Sequence, residues 1–258
     1  MILEHKGINI FFTDEGSGES IVLLHGFLEN VSMWEPFIPE LSKNNRVISI
    51  DLLGHGKTEC LGYIHTMELM AESVEAVLNY LNIKNSTFIG HSMGGYVSLA
   101  FAERNPDALK GLCLMNSTSQ EDTQEKKINR DRAIVAVKQN HKTFIRMAVT
   151  NLFSAENRSV FKDKISNTIE DALNTPLQGI IAALEGMKIR KDRSKILQNS
   201  VFKKMIIIGR KDPVLDYRNL ISLIKPTEVN LIEFPDGHMS HIENKDEFLQ
   251  QIMYFIEK

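Results

Sequence analysis

Six short apolar runs punctuate the chain: IVLLHG (21–26), RVISIDL (46–52), STFIGHS (86–92), LKGLCLMN (109–116), KKMIIIGR (203–210) and EVNLIEFP (228–235). Each is bounded by turn-forming residues and has no regular polar side, the pattern of a strand buried on both faces, as parallel sheets require. Segments of helical periodicity separate them. In Met67 to Leu81, for example, Leu69, Met70, Ser73, Val74, Val77, Leu78 and Leu81 share one face. Strands alternating with helices predict an α/β fold around a mainly parallel, doubly wound sheet of about eight strands. The opening run Gly7 to Thr13, ahead of the EGSG turn, is expected to add antiparallel edge strands.

The alternation breaks between Ser119 and Ser200, where the sequence turns charged and helical, with apolar positions at Phe144, Met147, Ala148 and Leu152 and again at Ile180, Ile181, Leu184 and Met187. Strand pattern resumes at Lys203, and no Gly/Pro/Ser-rich linker marks either edge. The expectation is a core of residues 1–118 and 201–258, with residues 119–200 a helical cap inserted after the sixth strand and folded over the sheet as a lid.

Composition narrows the partners. A formal charge of −3 with acids and bases intermixed supplies no basic field for nucleic acid, so a small-molecule substrate is expected. Cys60 and Cys113 are too few for a disulfide framework, and no C-x-x-C spacing occurs. The opening residues lack the basic-then-apolar order of a signal peptide, and no apolar run reaches the roughly 20 residues of a bilayer span. A soluble, cytoplasmic protein without membrane association is the expectation. No heptad pattern or free apolar stripe indicates an oligomeric state.

Gly90-His91-Ser92-Met93-Gly94 fits G-x-S-x-G directly after an apolar strand, with Gly95 and a helical segment following. A nucleophile on a strand-to-helix elbow needs a strained backbone and small neighbours, and this context supplies both. A serine hydroxyl also needs a base and a group to orient that base. Downstream, Asp212 stands in the loop leaving MIIIG, and His238 in the loop after NLIEF. Both loops leave a parallel sheet at the edge where Ser92 lies. Asp216, Asp236 and His241 compete for the same roles. No metal or other cofactor is expected: His238-x-x-His241 lacks the spacing and glutamate of H-E-x-x-H, while GSGES and IGHSMGG contain no phosphate-binding glycine motif.

The sequence resembles the α/β-hydrolase fold superfamily, in its group of carboxylesterase-like, lactonase-like and carbon–carbon-bond hydrolases. The features that carry the resemblance are LLHGFLENVSMW (23–34), DLLGHGKTE (51–59), IGHSMGG (89–95), IIIGRKDPVL (206–215) and PDGHMSHIEN (235–244). It implies Ser92 as nucleophile, Asp212 as acid and His238 as base, with the Phe27 and Met93 backbone amides as oxyanion donors. His25 and His55 match structural loop positions of the family. In some relatives the acid follows an earlier strand, where this chain has the uncharged Asn116 and Ser117.

The reaction so implied is ester cleavage through an acyl-enzyme on small apolar or aromatic substrates. Lactone, thioester and carbon–carbon-bond cleavage use the same triad, and a non-catalytic ligand receptor is the reading from another class. Trp34, Phe144, Met147, Leu152, Leu184 and Met187 are the candidate pocket residues, with Phe153 a further apolar candidate. Arg190 and Arg193 read as solvated charges at a helix end, and as carboxylate-holding groups only if the lid turns them inward.

Overall fold

Runs such as Ile21-Val22-Leu23-Leu24 have nowhere to place a water-facing side chain, and the fold answers by covering both faces of one sheet. The computed structural model describes residues 1–224 and 228–257. Its eight strands are β1 (Ile2–His5), β2 (Ile8–Gly16), β3 (Glu19–Leu24), β4 (Asn45–Ile50), β5 (Ser86–His91), β6 (Leu109–Met115), β7 (Lys203–Gly209) and β8 (Asn230–Phe234), in the order β1-β2-β4-β3-β5-β6-β7-β8. β1 and β2 are antiparallel, β2 meets β4 antiparallel, and every later pairing is parallel. The sequence located the edge only from Gly7; the first strand lies earlier, at Ile2–His5.

Alternate strand residues feed two cores. Val22, Leu24, Phe88, Leu112, Leu114, Ile206 and Ile208 join the larger one, packed under helices α2 (Met67–Tyr80) and α3 (Met93–Arg104). Ile21, Leu23, Ile89, Cys113, Met115, Met205 and Ile207 join the other, covered by α1 (Ile38–Leu41) and by Phe248, Ile252 and Phe255. Burial at about 25 cal/mol per Å² of apolar surface makes this two-sided sheet the dominant stabilising unit.

Between β6 and β7 the chain forms α4 (Gln124–Thr150), α5 (Lys162–Ala172), α6 (Leu177–Lys188) and α7 (Ser194–Asn199). Asn140 breaks α4 with φ −156° and ψ 86°, and its Oδ1 accepts from the Thr143 amide at 3.0 Å to start the helix again. Helix α6 is pressed backbone to backbone on the core: a Cβ at Gly186 would fall 1.8 Å from the His65 carbonyl oxygen, and the His65 amide donates to Ala182 O at 3.0 Å. The remaining helices are α8 (Tyr217–Ile224), α9 (Ser240–Glu243) and α10 (Lys245–Glu257). Among the described residues no helix is long and apolar enough to cross a membrane.

Strand order positions the site. The chain steps from β3 outward to β4, then returns to place β5 on the other side of β3, with Leu24 beside Gly90. The loops leaving β3 and β5 therefore diverge at their carboxyl ends, the crevice where open α/β sheets bind ligands.

Candidate active site

Ser92 sits in that crevice, between the end of β5 and the start of α3, at φ 47° and ψ −110°. Such a conformation costs on the order of 1–3 kcal/mol in an L-residue and persists only where surroundings over-determine it. Here the Ser92 amide donates to Met115 O at 2.9 Å, while its carbonyl accepts from Gly95 N at 3.0 Å and Ser117 Oγ at 2.8 Å. Close approach explains the glycine after Met93: a Cβ at Gly94 would lie 2.3 Å from the Leu24 carbonyl oxygen.

His238 Nε2 lies 2.9 Å from Ser92 Oγ, and His238 Nδ1 lies 2.7 Å from Asp212 Oδ2. Asp212 Oδ1 accepts from the Val214 and Leu215 amides at 2.8 and 3.0 Å, and Oδ2 accepts from Asn116 Nδ2 at 3.0 Å. Burial pushes the Asp212 pKa up, but His238 and these donors outweigh it and hold the carboxyl below its ordinary value. An ionised Asp212 fixes the proton on His238 Nδ1 and leaves Nε2 free to accept from the serine. Of the competitors, Asp216 is exposed and accepts from Asn219 N at 3.0 Å, capping α8, while Asp236 makes no side-chain hydrogen bond to a described residue. The Phe27 and Met93 amides donate to no acceptor among the described residues.

Two carboxylates without a sequence signal hold these loops. Buried Glu29 accepts through Oε2 from the Gly26 amide at 2.6 Å and lies 2.6 Å from His91 Nδ1, while His91 Nε2 lies 3.1 Å from the His238 carbonyl oxygen. Both partners of His91 are acceptors, so both ring nitrogens donate and the ring is an imidazolium. Burial opposes that charge, but Glu29 prevails and raises the His91 pKa; burial likewise opposes the Glu29 charge, yet His91 holds its pKa at about 2. One ion pair thus joins the loop after β3, the residue before Ser92 and the main chain of His238. Glu243 clamps from the other side, with Oε2 accepting from Gly237 N and Met239 N at 3.1 and 3.3 Å and Oε1 from Ser154 N at 3.0 Å.

Buried His241 lies with its ring 5.2 Å from that of His91 and its Nε2 3.9 Å from Glu29 Oε1. Glu29, His91 and His241 are close enough to share a cation. With both nitrogens protonated, however, His91 presents no lone pair, and the cluster as arranged is an ion pair beside a neutral imidazole. His25 is also neutral: Nδ1 donates to Gly26 O at 2.7 Å and Nε2 accepts from Leu52 N at 2.9 Å, tying the loops after β3 and β4.

These histidines make the fold acid-sensitive. Burial lowers the pKa of His25 and His65, and takes His55 and His241 to about 3. Between the ordinary value of 6.5 and about 3 the unfolded chain binds protons that the folded chain refuses, so stability falls as pH falls through this window. His91 acts in the opposite sense only above 6.5, where its raised pKa makes stability rise as pH falls, and adds no slope below it. The thermal midpoint is expected to drop steadily from about pH 6.5 to pH 4.5, with a shallower slope in His241→Asn; a midpoint flat across that range would refute the assignment.

A cavity of about 130 Å³ opens at Ser92 and His238, lined also by Phe27, Leu28, His91, Tyr96, Arg130, Ala148, Leu152, Met187 and Val214. Leu152 and Met187 thus reach it, and four other candidate pocket residues do not. Trp34 lies under the opposite face of the sheet against Phe37, because the turn Val31–Trp34 carries the chain around the sheet edge. Phe144 and Leu184 pack into the larger core, as does Phe153. Met147 is 56% exposed: the helix restarting at Asn140 buries Ile145 and Val149, which rotates the inner face about one residue from the expected stripe. Arg190 and Arg193 are not solvated; both are 3% exposed and ion-paired, Arg190 to Asp122 and Arg193 to Glu68 and Glu103.

Fold and site together define a hydrolase-type α/β protein with a serine at its elbow. A family model described as alpha/beta hydrolase fold matches residues 19–245, and the chain belongs to that family. Its relatives include 3-oxoadipate enol-lactonase 1 of Acinetobacter baylyi, 24% identical over 98% of this chain and 94% of that protein. A dihydrolipoyllysine-residue acetyltransferase component of the acetoin cleaving system of Pseudomonas putida is 26% identical over 93% of this chain, which spans only 64% of that relative's length. Among solved structures, a thermophilic esterase from Thermogutta terrifontis with malate bound superposes with a TM-score of 0.91 at 28% identity, over 99% of this chain and 96% of that one.

Proposed function

We propose that this protein is a serine hydrolase that cleaves small carboxylic esters through an acyl-enzyme on Ser92. The observation that carries the reading is the unbroken relay of 2.9 Å from Ser92 Oγ to His238 Nε2 and 2.7 Å from His238 Nδ1 to Asp212 Oδ2. His238 takes the Ser92 proton as Oγ bonds to the ester carbonyl carbon, and the carbonyl oxygen becomes an oxyanion held by the Phe27 and Met93 amides. The intermediate collapses, the C–O bond to the alcohol breaks, and His238 returns the proton to the departing alkoxide. Water, deprotonated by His238, then releases the acid and restores Ser92. Residues 119–200 act as the cap: Ala148 from α4, Leu152 from the turn after it and Met187 from α6 line the cavity beside the nucleophile. At about 130 Å³ the cavity is smaller than the roughly 300–1,000 Å³ of sites for drug-sized ligands, so short acyl groups fit best.

An intramolecular ester is the second reading, favoured by the near-full-length similarity to an enol-lactonase. Both share one test. A fluorophosphonate is expected to label wild-type protein at Ser92 and to leave Ser92→Ala unlabelled, and p-nitrophenyl acetate is expected to give a burst of about one equivalent of p-nitrophenol. Equal slow hydrolysis by wild type and Ser92→Ala would overturn the proposal and favour a ligand-binding role.

A further inference from the structure

Apart from the triad, two groups on the cavity wall carry positive charge, the His91 ring, whose two nitrogens are taken by Glu29 and the His238 carbonyl, and Arg130. Arg130 lies on the first half of α4 with its side chain 20% exposed, and its Nε donates to Asp122 Oδ2 at 3.0 Å. Its two Nη groups have no acceptor among the described residues. Asp122 is buried and its other oxygen is taken by Arg190 Nη1 at 2.6 Å. Arg190 in turn donates to Gln120 O and Met187 O, and its guanidinium stacks 4.1 Å over the Tyr96 ring. Two guanidiniums against one carboxylate leave the cluster at a net charge of one positive unit, and of the two arginines it is Arg130 that lines the cavity.

The remaining wall is mainly apolar, with Phe27, Leu28, Leu152, Met187 and Val214. A guanidinium facing such a wall loses hydration without a partner, and its planar fork is matched by a carboxylate, which would accept from both Nη groups. Arg190 places both its Nε and its Nη1 on protein acceptors, whereas Arg130 places only its Nε. We propose that Arg130 is a substrate-recognition residue and that the ester this site cleaves carries a free carboxylate. The inference rests on the reading of Ser92 as nucleophile and adds the substrate class. Asp122 and Arg190 are positioning residues: Asp122 holds the Arg130 Nε and so aims its Nη groups, and Arg190 holds the other oxygen of Asp122.

The test compares acids with their methyl esters, which differ in charge and little in shape. One pair, p-nitrophenyl hemiglutarate and its methyl ester, carries the charge on the acyl side; the other, 4-acetoxybenzoate and its methyl ester, carries it on the alcohol side. In at least one pair wild type is expected to favour the acid by about tenfold or more in kcat/KM, chiefly through KM. Arg130→Gln is expected to abolish that preference and Arg130→Lys to restore part of it. No preference for the acid in either pair, or a preference that survives Arg130→Gln, would overturn the proposal. If Arg130→Gln does not fold, competitive inhibition of wild type decides: glutarate is expected to inhibit at least about tenfold more tightly than dimethyl glutarate, and equal inhibition refutes the anion site. Calorimetric titration of glutarate into Ser92→Ala and into Ser92→Ala/Arg130→Gln needs no turnover. It supports the proposal if only the first binds and overturns it if the two behave alike, even should Ser92 prove unreactive and the hydrolase reading fall.

Discussion

Ser92→Ala, His238→Ala and the double variant are expected to hydrolyse p-nitrophenyl acetate at one common residual rate, roughly 10⁴- to 10⁶-fold below wild type in kcat. On the proposed mechanism the three changes converge because serine and histidine act as one device. Without the Nε2 acceptor at 2.9 Å the Ser92 hydroxyl stays protonated, and without the hydroxyl the base has nothing to deliver to the carbonyl. What survives is the part of the site that neither variant touches, the Phe27 and Met93 amides and the cavity, which can still assist attack by water. The measurement is steady-state kcat for all three proteins, with circular dichroism spectra matched to wild type. A double variant slower than either single by the product of their separate effects would mean that the residues act independently, and the relay would not be the catalytic unit.

Much of this device is legible in the linear sequence because its parts are set by rules of short range. Ser92 is announced by glycines that a strand-to-helix elbow requires, and Asp212 and His238 each follow an apolar run that reads as a strand, buried along β7 but, in the edge strand β8, only at Phe234. Sheet topology then brings three distant loops to one edge. Support residues have no such local signal. Asn116, which reads as an uncharged residue at a strand end, donates to Asp212 Oδ2, and Glu243, which reads as an ordinary helix charge, accepts from amides on both sides of His238. The cap is hardest to read. Its helices bury faces against both the core and one another, so an apolar stripe does not say which partner it meets, and the break at Asn140 shifts the stripe by one residue. Arg190 and Arg193 mislead for a related reason: a charged run at a helix end is usually solvated, and only the fold reveals the buried carboxylates that pair with them.

Loss of the Glu29 carboxylate is expected to be the most destabilising single change of charge in the molecule. Glu29→Ala strips the buried His91 imidazolium of its counter-charge and the Gly26 amide of its acceptor. Breaking a buried pair from one side costs about 3–5 kcal/mol, which for a chain of this size lowers the thermal midpoint by roughly 10 °C. Glu29→Gln separates the charge from the hydrogen bond, since its amide oxygen still accepts from Gly26. In wild type the raised His91 pKa gives stability that is fully present below the ordinary 6.5 and is lost as pH rises through the folded value. In Glu29→Gln the main influence opposing burial is gone and only the His238 carbonyl and Asp212 still favour the charged ring, so the folded ring gives up its proton more readily while the unfolded chain keeps it below 6.5. The gap in stability between wild type and Glu29→Gln must therefore widen as pH falls from about 8 to 5, and denaturant titrations at the two ends measure it. A gap that stays constant with pH would reduce Glu29 to a packing residue. Because the same pair anchors Gly26 beside Phe27 and the His238 carbonyl, kcat should fall with it, and KM for a neutral ester should change less.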